Sequence, residues 1–239
     1  DKQFSKDGGH KILMEQLYPG DEDYILHFNA LLPAFKDPRY IRVHGNPMFV
    51  IYNPAKIPNP ARFISLWQQL ASDHGFRIHF EGHTSKPQEL IRYRKWGFDA
   101  TIMIRLFDVF KKDFSLWERI NAKLQRVMLN QGRRIEYSRA ARYFYGTEER
   151  ADDCYPSIIP NWDHSPRSGR AAHILIRSTP EKFRKHASDS FDNIAHKDRE
   201  DRIVFLKSWN EWAEGNYMEP DLKFGRGYLE ALKQALEEK

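Results

Sequence analysis

Short apolar runs of β-forming residues alternate along this chain with helix-length amphipathic segments, and that alternation leaves few folds open. Met48-Phe49-Val50-Ile51-Tyr52, bounded by Gly45, Pro47 and Pro54, reads as a buried strand. Phe76 to Glu81, Ala100 to Ile104, Tyr155 to Ile159 and Ile203 to Leu206 repeat the pattern. Helices are predicted between them at residues 21–36, 60–74, 86–95 and 180–195, with a last one from about Arg226. Asp21, Glu22 and Asp23 place negative charge at the positive end of the first. Phe63, Leu66, Trp67 and Leu70 form one stripe of the second. Ser178-Thr179-Pro180-Glu181 opens the helix at 180 with capping residues, an early proline and an acidic first turn. Buried strands joined through helices imply a parallel sheet with helices outside it.

The expected fold class is therefore α/β, of the (β/α)8 TIM-barrel type. A complete barrel of this kind has eight strands in roughly 250 residues. Only five strands are legible in these 239 residues. The expectation is an incomplete barrel of about five C-terminal βα units, with the first strands upstream of Asp1. A start at Asp1 instead of methionine agrees with an N-terminally truncated chain. Residues 1–239 are read as one domain. The segment near 107–150 breaks the rhythm as a helical insertion, with helices at 115–130 and near 138–146.

Composition narrows the function classes. No apolar run approaches the roughly 18 residues of a membrane span, so none is expected. The one cysteine, Cys154, permits no intrachain disulfide and reads as a small core residue. It fits a reducing compartment, and a cytoplasmic location is expected. The net charge is only +5. Arg133, Arg134, Arg139 and Arg142 interleave with Tyr137, Tyr143, Phe144 and Tyr145, a mix that can bind a nucleic-acid strand or an anionic sugar chain. A solvated helix face with its aromatics turned inward explains the stretch more simply, and no nucleic-acid partner is expected.

In a parallel α/β barrel the reactive groups gather at the carboxyl ends of the strands. Those ends carry Tyr52, Glu81, His83, Arg105, Trp162, Asp163, Asn210, Glu211 and Glu214. Carboxylates, an arginine and aromatics on one rim suit a sugar site. His79, Glu81 and His83 alternate at period two, and two histidines with a carboxylate can hold a transition metal. Gly82 is expected to end that strand, however, and no fourth ligand is in view. No metal and no cofactor are expected, and Glu81 is read as a rim contact to sugar hydroxyls. The sharpest signal is Ser208-Trp209-Asn210-Glu211-Trp212-Ala213-Glu214-Gly215-Asn216-Tyr217, directly after an apolar strand. Glu211 and Glu214 can face one opening if the chain turns there. Glycoside hydrolysis needs such a carboxyl pair, on the order of 5–9 Å apart. One member must keep its proton, which apolar walls such as Trp212 favour. The same spacing also fits an acidic loop capping the final helix, or carboxylates paired with arginines.

The run WNEWAEGNYMEPD followed by FGRGYLEAL resembles the WbsX-type family of glycosyltransferases or lipopolysaccharide-biosynthesis proteins, itself similar to glycoside hydrolase family 99. ILMEQLY at 12–18, LLPAFKDPRYIRVHGNPMFVIYNP at 31–54 and IIPNWDHSPRSGRAAHILIRSTPEKF at 158–183 extend the resemblance over nearly the whole chain. It implies a (β/α)8 barrel whose N-terminal part is absent here and is needed to complete it. It also implies retaining chemistry through a 1,2-anhydro sugar. Glu211 would be the base that takes the 2-hydroxyl proton, and Glu214 the general acid, then base. Ala213 stands where family 99 has histidine, so linkage and sugar specificity do not carry over. Trp162, Asp163 and Arg167 resemble a substrate-contacting loop, although an Asp163–Arg167 pair that merely fastens the loop fits equally. Asn210, Trp212, Tyr52 and Glu81 complete the expected substrate contacts. The expected partner is an oligosaccharide or polysaccharide of the bacterial surface, such as O-antigen. The absence of a Rossmann glycine fingerprint weighs against a sugar-nucleotide transferase. The rival class is a non-catalytic glycan-binding or inactive barrel fragment.

Overall fold

The computed structural model describes residues 14–239 and the backbone of a short antiparallel hairpin, β1 (Lys2–Phe4) with β2 (His10–Ile12). Asp1 and the start of the 12–18 motif, Ile12 and Leu13, lie outside the residues described in full. Helix α1 (Asp21–Lys36) is followed by β3 (Arg42–Val43), β4 (Asn46–Ile51), α2 (Pro60–Ser72), β5 (His79–Thr84), α3 (Glu89–Trp96) and β6 (Ala100–Met103). Next come α4 (Asp108–Lys112), α5 (Leu116–Met128), β7 (Arg133–Glu136), α6 (Tyr137–Ala141), β8 (Cys154–Tyr155) and β9 (Ser157–Ile158). The chain closes with α7 (Ser165–Ser168), β10 (His173–Ile176), α8 (Pro180–Ile194), β11 (Phe205–Leu206), β12 (Asn210–Glu211), β13 (Asn216–Tyr217) and α9 (Gly227–Glu237).

The fold is mixed α/β. Strands β4, β5, β6 and β8 pair in parallel, with β3 antiparallel on the β4 edge. Pro156 lacks an N–H and separates β8 from β9, yet its carbonyl accepts from Phe205 N at 3.0 Å. Through β9 the parallel order continues to β11. The result is a curled half-barrel sheet. A separate parallel pair, β7 with β10, went unseen in the sequence. The predicted helix near 138–146 shrinks to α6, because Tyr137 and Phe144 are both drawn fully into the core.

The faces of β5 explain the layering. Phe80 points outward into a cluster with Phe28, Phe35, Phe63 and Trp67 of the covering helices α1 and α2. Burial of one such phenylalanine contributes roughly 1.5–3 kcal/mol. Trp67 also satisfies its indole by donating to the Tyr24 carbonyl at 3.0 Å. Helix α2 starts where Asn59 accepts from Arg62 N, one residue before Pro60. Gly82 does not end β5, as the sequence had suggested. It lies inside the strand, in register with Ile51 and Thr101. A Cβ there would come within 2.6 Å of the Tyr93 ring, so only glycine lets α3 lie this close to the sheet. His79, Glu81 and His83 therefore share the inner face, beside Ile102 and Tyr155.

Two polar groupings serve the scaffold. Arg105, expected on the rim, is only 1% exposed and is held by Glu149, Glu148 and Asp108. Its charge is fully matched inside the protein and faces no opening. In the basic stretch, Arg139 binds Asp113 at 2.7 Å and Glu118 at 2.6 Å. Its aromatic neighbours Tyr137 and Phe144 are core residues, so the inward-turned reading of that stretch holds for them. Among the described residues no helix is long and apolar enough to cross a membrane.

Candidate functional site

The carboxyl end of β11 leads through Lys207 into a hairpin, β12 and β13, that carries both signal glutamates. Glu211 pairs with Asn216 across the hairpin, and Glu214 sits in the tight turn between the strands. Asn216 is completely buried and anchors the hairpin. Its amide donates to the carbonyls of Asn161 at 2.7 Å and Lys207 at 2.9 Å. Asn161 returns the contact by accepting from Tyr217 N at 3.0 Å. The ring of Trp212 stacks on Tyr217, 3.8 Å between centroids, and its indole donates to Glu219 at 2.6 Å. These contacts assign Asn216 and the rings Trp212 and Tyr217 of the motif, with Asn161 of the neighbouring loop, to holding the hairpin in shape.

The loop after β9 lies directly against this hairpin. Asp163 N donates to the Glu214 carbonyl at 2.9 Å. Gly215, in the left-handed region at φ +52°, passes so close that a Cβ would stand 3.0 Å from the backbone N and O of Asp163. Gly215→Ala should cost about 1–3 kcal/mol and push the hairpin off the loop. Urea unfolding will measure it, and an unchanged midpoint would show that the two segments move apart freely. Arg167 reaches across to Glu214 at 3.2 Å. The anticipated alternative of an Asp163–Arg167 pair does not form. Asp163 Oδ1 instead accepts from Ser165 N at 2.9 Å and shapes its own turn.

Lys207 is the residue that the sequence reading missed. Burial lowers its pKa, and the charges of Glu214 and Glu211 oppose that shift. Its ammonium lies 5.1 Å over the ring of Trp162. The same charge, after burial, helps to push the pKa of His83 down. His83 in turn stacks on Tyr52, 4.9 Å between centroids. The charge of Lys207 is thus felt both by His83 at the end of β5 and by the glutamate hairpin. The sequence signal of Lys207 was plain: a lysine directly ending the apolar run Ile203 to Leu206.

Two hollows border these residues. A cavity of about 410 Å³ is lined by Trp162, Asp163, Trp212, Gly215 and Tyr217, together with Arg177 and Tyr228. A smaller one of about 230 Å³ is lined by Tyr52, His83, Lys86 and Tyr93. Of the expected contacts, Trp212, Tyr52 and Asn210 are exposed. Trp162 is only 5% exposed and packs edge-on against Phe107, so it forms a wall more than a free stacking face. Arg167, not Trp212, is the immediate neighbour of the Glu214 carboxyl.

Glu81 lies deepest. It is fully buried, and neither carboxyl oxygen has a hydrogen-bond partner. Burial, with the charge of Asp99, pushes its pKa up to about 8. His79 Nε2 stands 3.7 Å from it, but burial lowers the pKa of that imidazole, so the pair is neutral near pH 7. His83 faces Tyr52 instead of joining them. Among the described residues no group of three or more side chains is placed to hold a metal ion.

The description Glycosyltransferase WbsX belongs to a family model that matches residues 2–232. The chain belongs to the WbsX family. Two curated relatives, each an uncharacterized protein WxcX from a strain of Xanthomonas campestris pv. campestris, are 29% identical over 234 residues. That alignment takes in 95% of this chain and 32% of each relative, so the chain spans about a third of their length. Among solved structures, the GH99 endo-alpha-mannosidase from Bacteroides thetaiotaomicron matches with a TM-score of 0.56 at 16% identity, over 90% of this chain and 60% of that one. Its complex with bis-tris-propane gives 0.56 at 18% identity, over 90% and 64%. This WbsX-family chain therefore shares the mixed α/β fold of a barrel enzyme.

Proposed function

We propose that this WbsX-family chain carries the acid/base centre of an enzyme acting on glycosidic bonds of glycans. The observation that carries the reading is the hairpin at the β11 strand end: it holds Glu211 in β12 and Glu214, paired with Arg167, in the next turn, and its Trp212, Gly215 and Tyr217 line one cavity with Trp162 and Asp163. The family and the fold match support it.

In the proposed course, Glu211 accepts the proton of the sugar 2-hydroxyl as that oxygen attacks C1. The glycosidic C1–O bond breaks, and the leaving oxygen takes the proton of Glu214. Water or an acceptor hydroxyl then attacks C1 and gives its proton to Glu214. The 2-oxygen leaves C1 and recovers its proton from Glu211. Two displacements at C1 return the original configuration, and the acceptor decides between hydrolysis and transfer. Arg167 is exposed and holds Glu214 by a single contact, so an incoming sugar can draw it off the carboxyl. Lys207 lies within electrostatic reach of the pair, and the two carboxylates favour its charged form against the burial that disfavours it. Exposed Tyr52 and Trp212 offer rings to the sugar faces.

The test is to incubate the full-length protein with a panel of bacterial surface glycans and follow the anomeric configuration of the first product by NMR. Retained configuration is the expected result. An inverted first product overturns the two-step course. Binding of glycans with no bond cleaved or formed replaces the enzyme reading with a non-catalytic glycan-binding one.

A further inference from the structure

Helix α5 contributes nothing to the core. None of its residues is buried, although a complete capping box at Ser115 and Glu118 fixes its start. On a helical projection Leu116, Trp117, Ile120, Leu124, Val127 and Met128 fall on one arc of about 120°. All six are exposed: Trp117 and Leu116 at 75%, Val127 at 69% and Met128 at 76%. Arg119, Lys123 and Arg126 occupy the adjoining arc. They line a cavity of about 300 Å³ with Arg133, Arg170 and His173. Among the described residues Lys123, Arg126, Arg133 and Arg170 have no carboxylate within ion-pair reach, and Arg119 donates only to the carbonyls of Phe114 and Lys111. Glu118 on the same helix and Asp113 just before it are taken up by Arg139. The cations crowd one another: after burial, the charges of Arg119 and Arg126 lower the pKa of Arg133. His173, pushed down to about 4 by burial and by Arg133, adds no charge at neutral pH.

We propose that α5 and its cationic border form a docking surface for an anionic lipid bilayer. The apolar arc enters the headgroup region while the five cations meet lipid phosphates. An amphipathic helix with aromatic and aliphatic residues beside lysines and arginines has the composition of interfacial helices. A nucleic acid would satisfy the cations but leave Leu124 and Val127 in water. A second copy would bring its own unpaired cations against these. A bilayer supplies both chemistries at once. Phe107 touches both His173, 5.2 Å between centroids, and Trp162, at 5.8 Å, so the surface adjoins the candidate site.

The test is co-sedimentation of the full-length protein with vesicles of phosphatidylcholine alone or mixed with phosphatidylglycerol. Binding to the mixed vesicles, weakened by salt and with a blue shift of Trp117 emission, is expected. Lys123→Gln with Arg126→Gln should lower partitioning roughly 25-fold, about fivefold per cation. Trp117→Ser with Leu124→Ser should lower it at least about tenfold. Both pairs are exposed, and circular dichroism will verify that the variants keep their helices. Equal binding to neutral vesicles, no binding, or binding indifferent to both pairs overturns the proposal. So does self-association abolished by Leu124→Ser, which would give the face to a second copy. Inorganic phosphate binding without vesicle binding would give the cavity to a soluble anion instead.

Discussion

Glu214→Gln and Glu211→Gln in the full-length protein should each slow turnover of the natural glycan by roughly 10²–10⁴-fold while leaving the fold intact. Glutamine keeps the shape of each side chain and removes only proton transfer. Neither carboxylate holds the hairpin together. That work falls to the buried Asn216, to Asn161 and to the Trp212–Tyr217 stack. The two variants should then part company. A substrate whose leaving group is too acidic to need protonation should restore Glu214→Gln more than Glu211→Gln, because only Glu214 is proposed to protonate the departing oxygen. Equal rescue would exchange or merge the roles. Full activity of both variants on the natural glycan would remove the pair from the mechanism.

The second large effect is on stability, and it depends on pH. Glu81 is buried without a hydrogen bond, with its pKa moved from 4.5 to about 8. Between those values the folded protein holds a proton that the unfolded chain releases. Unfolding free energy must therefore fall as pH rises through this window, by about 1.4 kcal/mol per pH unit at most. The total is on the order of 4 kcal/mol. Glu81→Gln removes the ionisation and should match the parent below about pH 5. Near pH 9 it should be the more stable protein by that amount. Urea unfolding of both proteins at the two pH values measures it. Identical pH slopes would mean that Glu81 ionises in the fold at no cost, through a partner or water at its oxygens.

The sequence placed the helices α1, α2 and α8 well because their signals are local. In α2 and α8 a proline at the first turn and a capping asparagine or threonine, and in α1 an acidic first turn, act within a few residues of the helix start. It placed the strands at residues 48–52, 100–104 and 155–159 for a related reason, since a continuous run of β-forming apolar residues is also a local signal, whether the strand is buried on both faces like Ala100–Met103 or leaves Val50 exposed as β4 does. It failed where polar residues lie in strands. His79 to Thr84 carries two histidines, a glutamate and a glycine, and the apolar count stopped it at Glu81. Arg133–Glu136 of β7 is nearly all charged and was read as part of a helical insertion. Its strand character comes only from pairing with β10, some forty residues away.

The candidate site divides in the same way. The sequence by itself determined that Glu211 and Glu214 leave a strand three residues apart among tryptophans, because strand, turn and spacing are all contiguous. It also determined the family, through long contiguous runs. Only the tertiary structure decided that Arg105 is a buried ion-pair residue, that Arg167 meets Glu214 in place of Asp163, and that Lys207 lies over the Trp162 ring. Each of these depends on which segments the sheet brings side by side. A charge carries no local mark of its partner, because Coulomb attraction and burial depend on distance in space and not on separation along the chain.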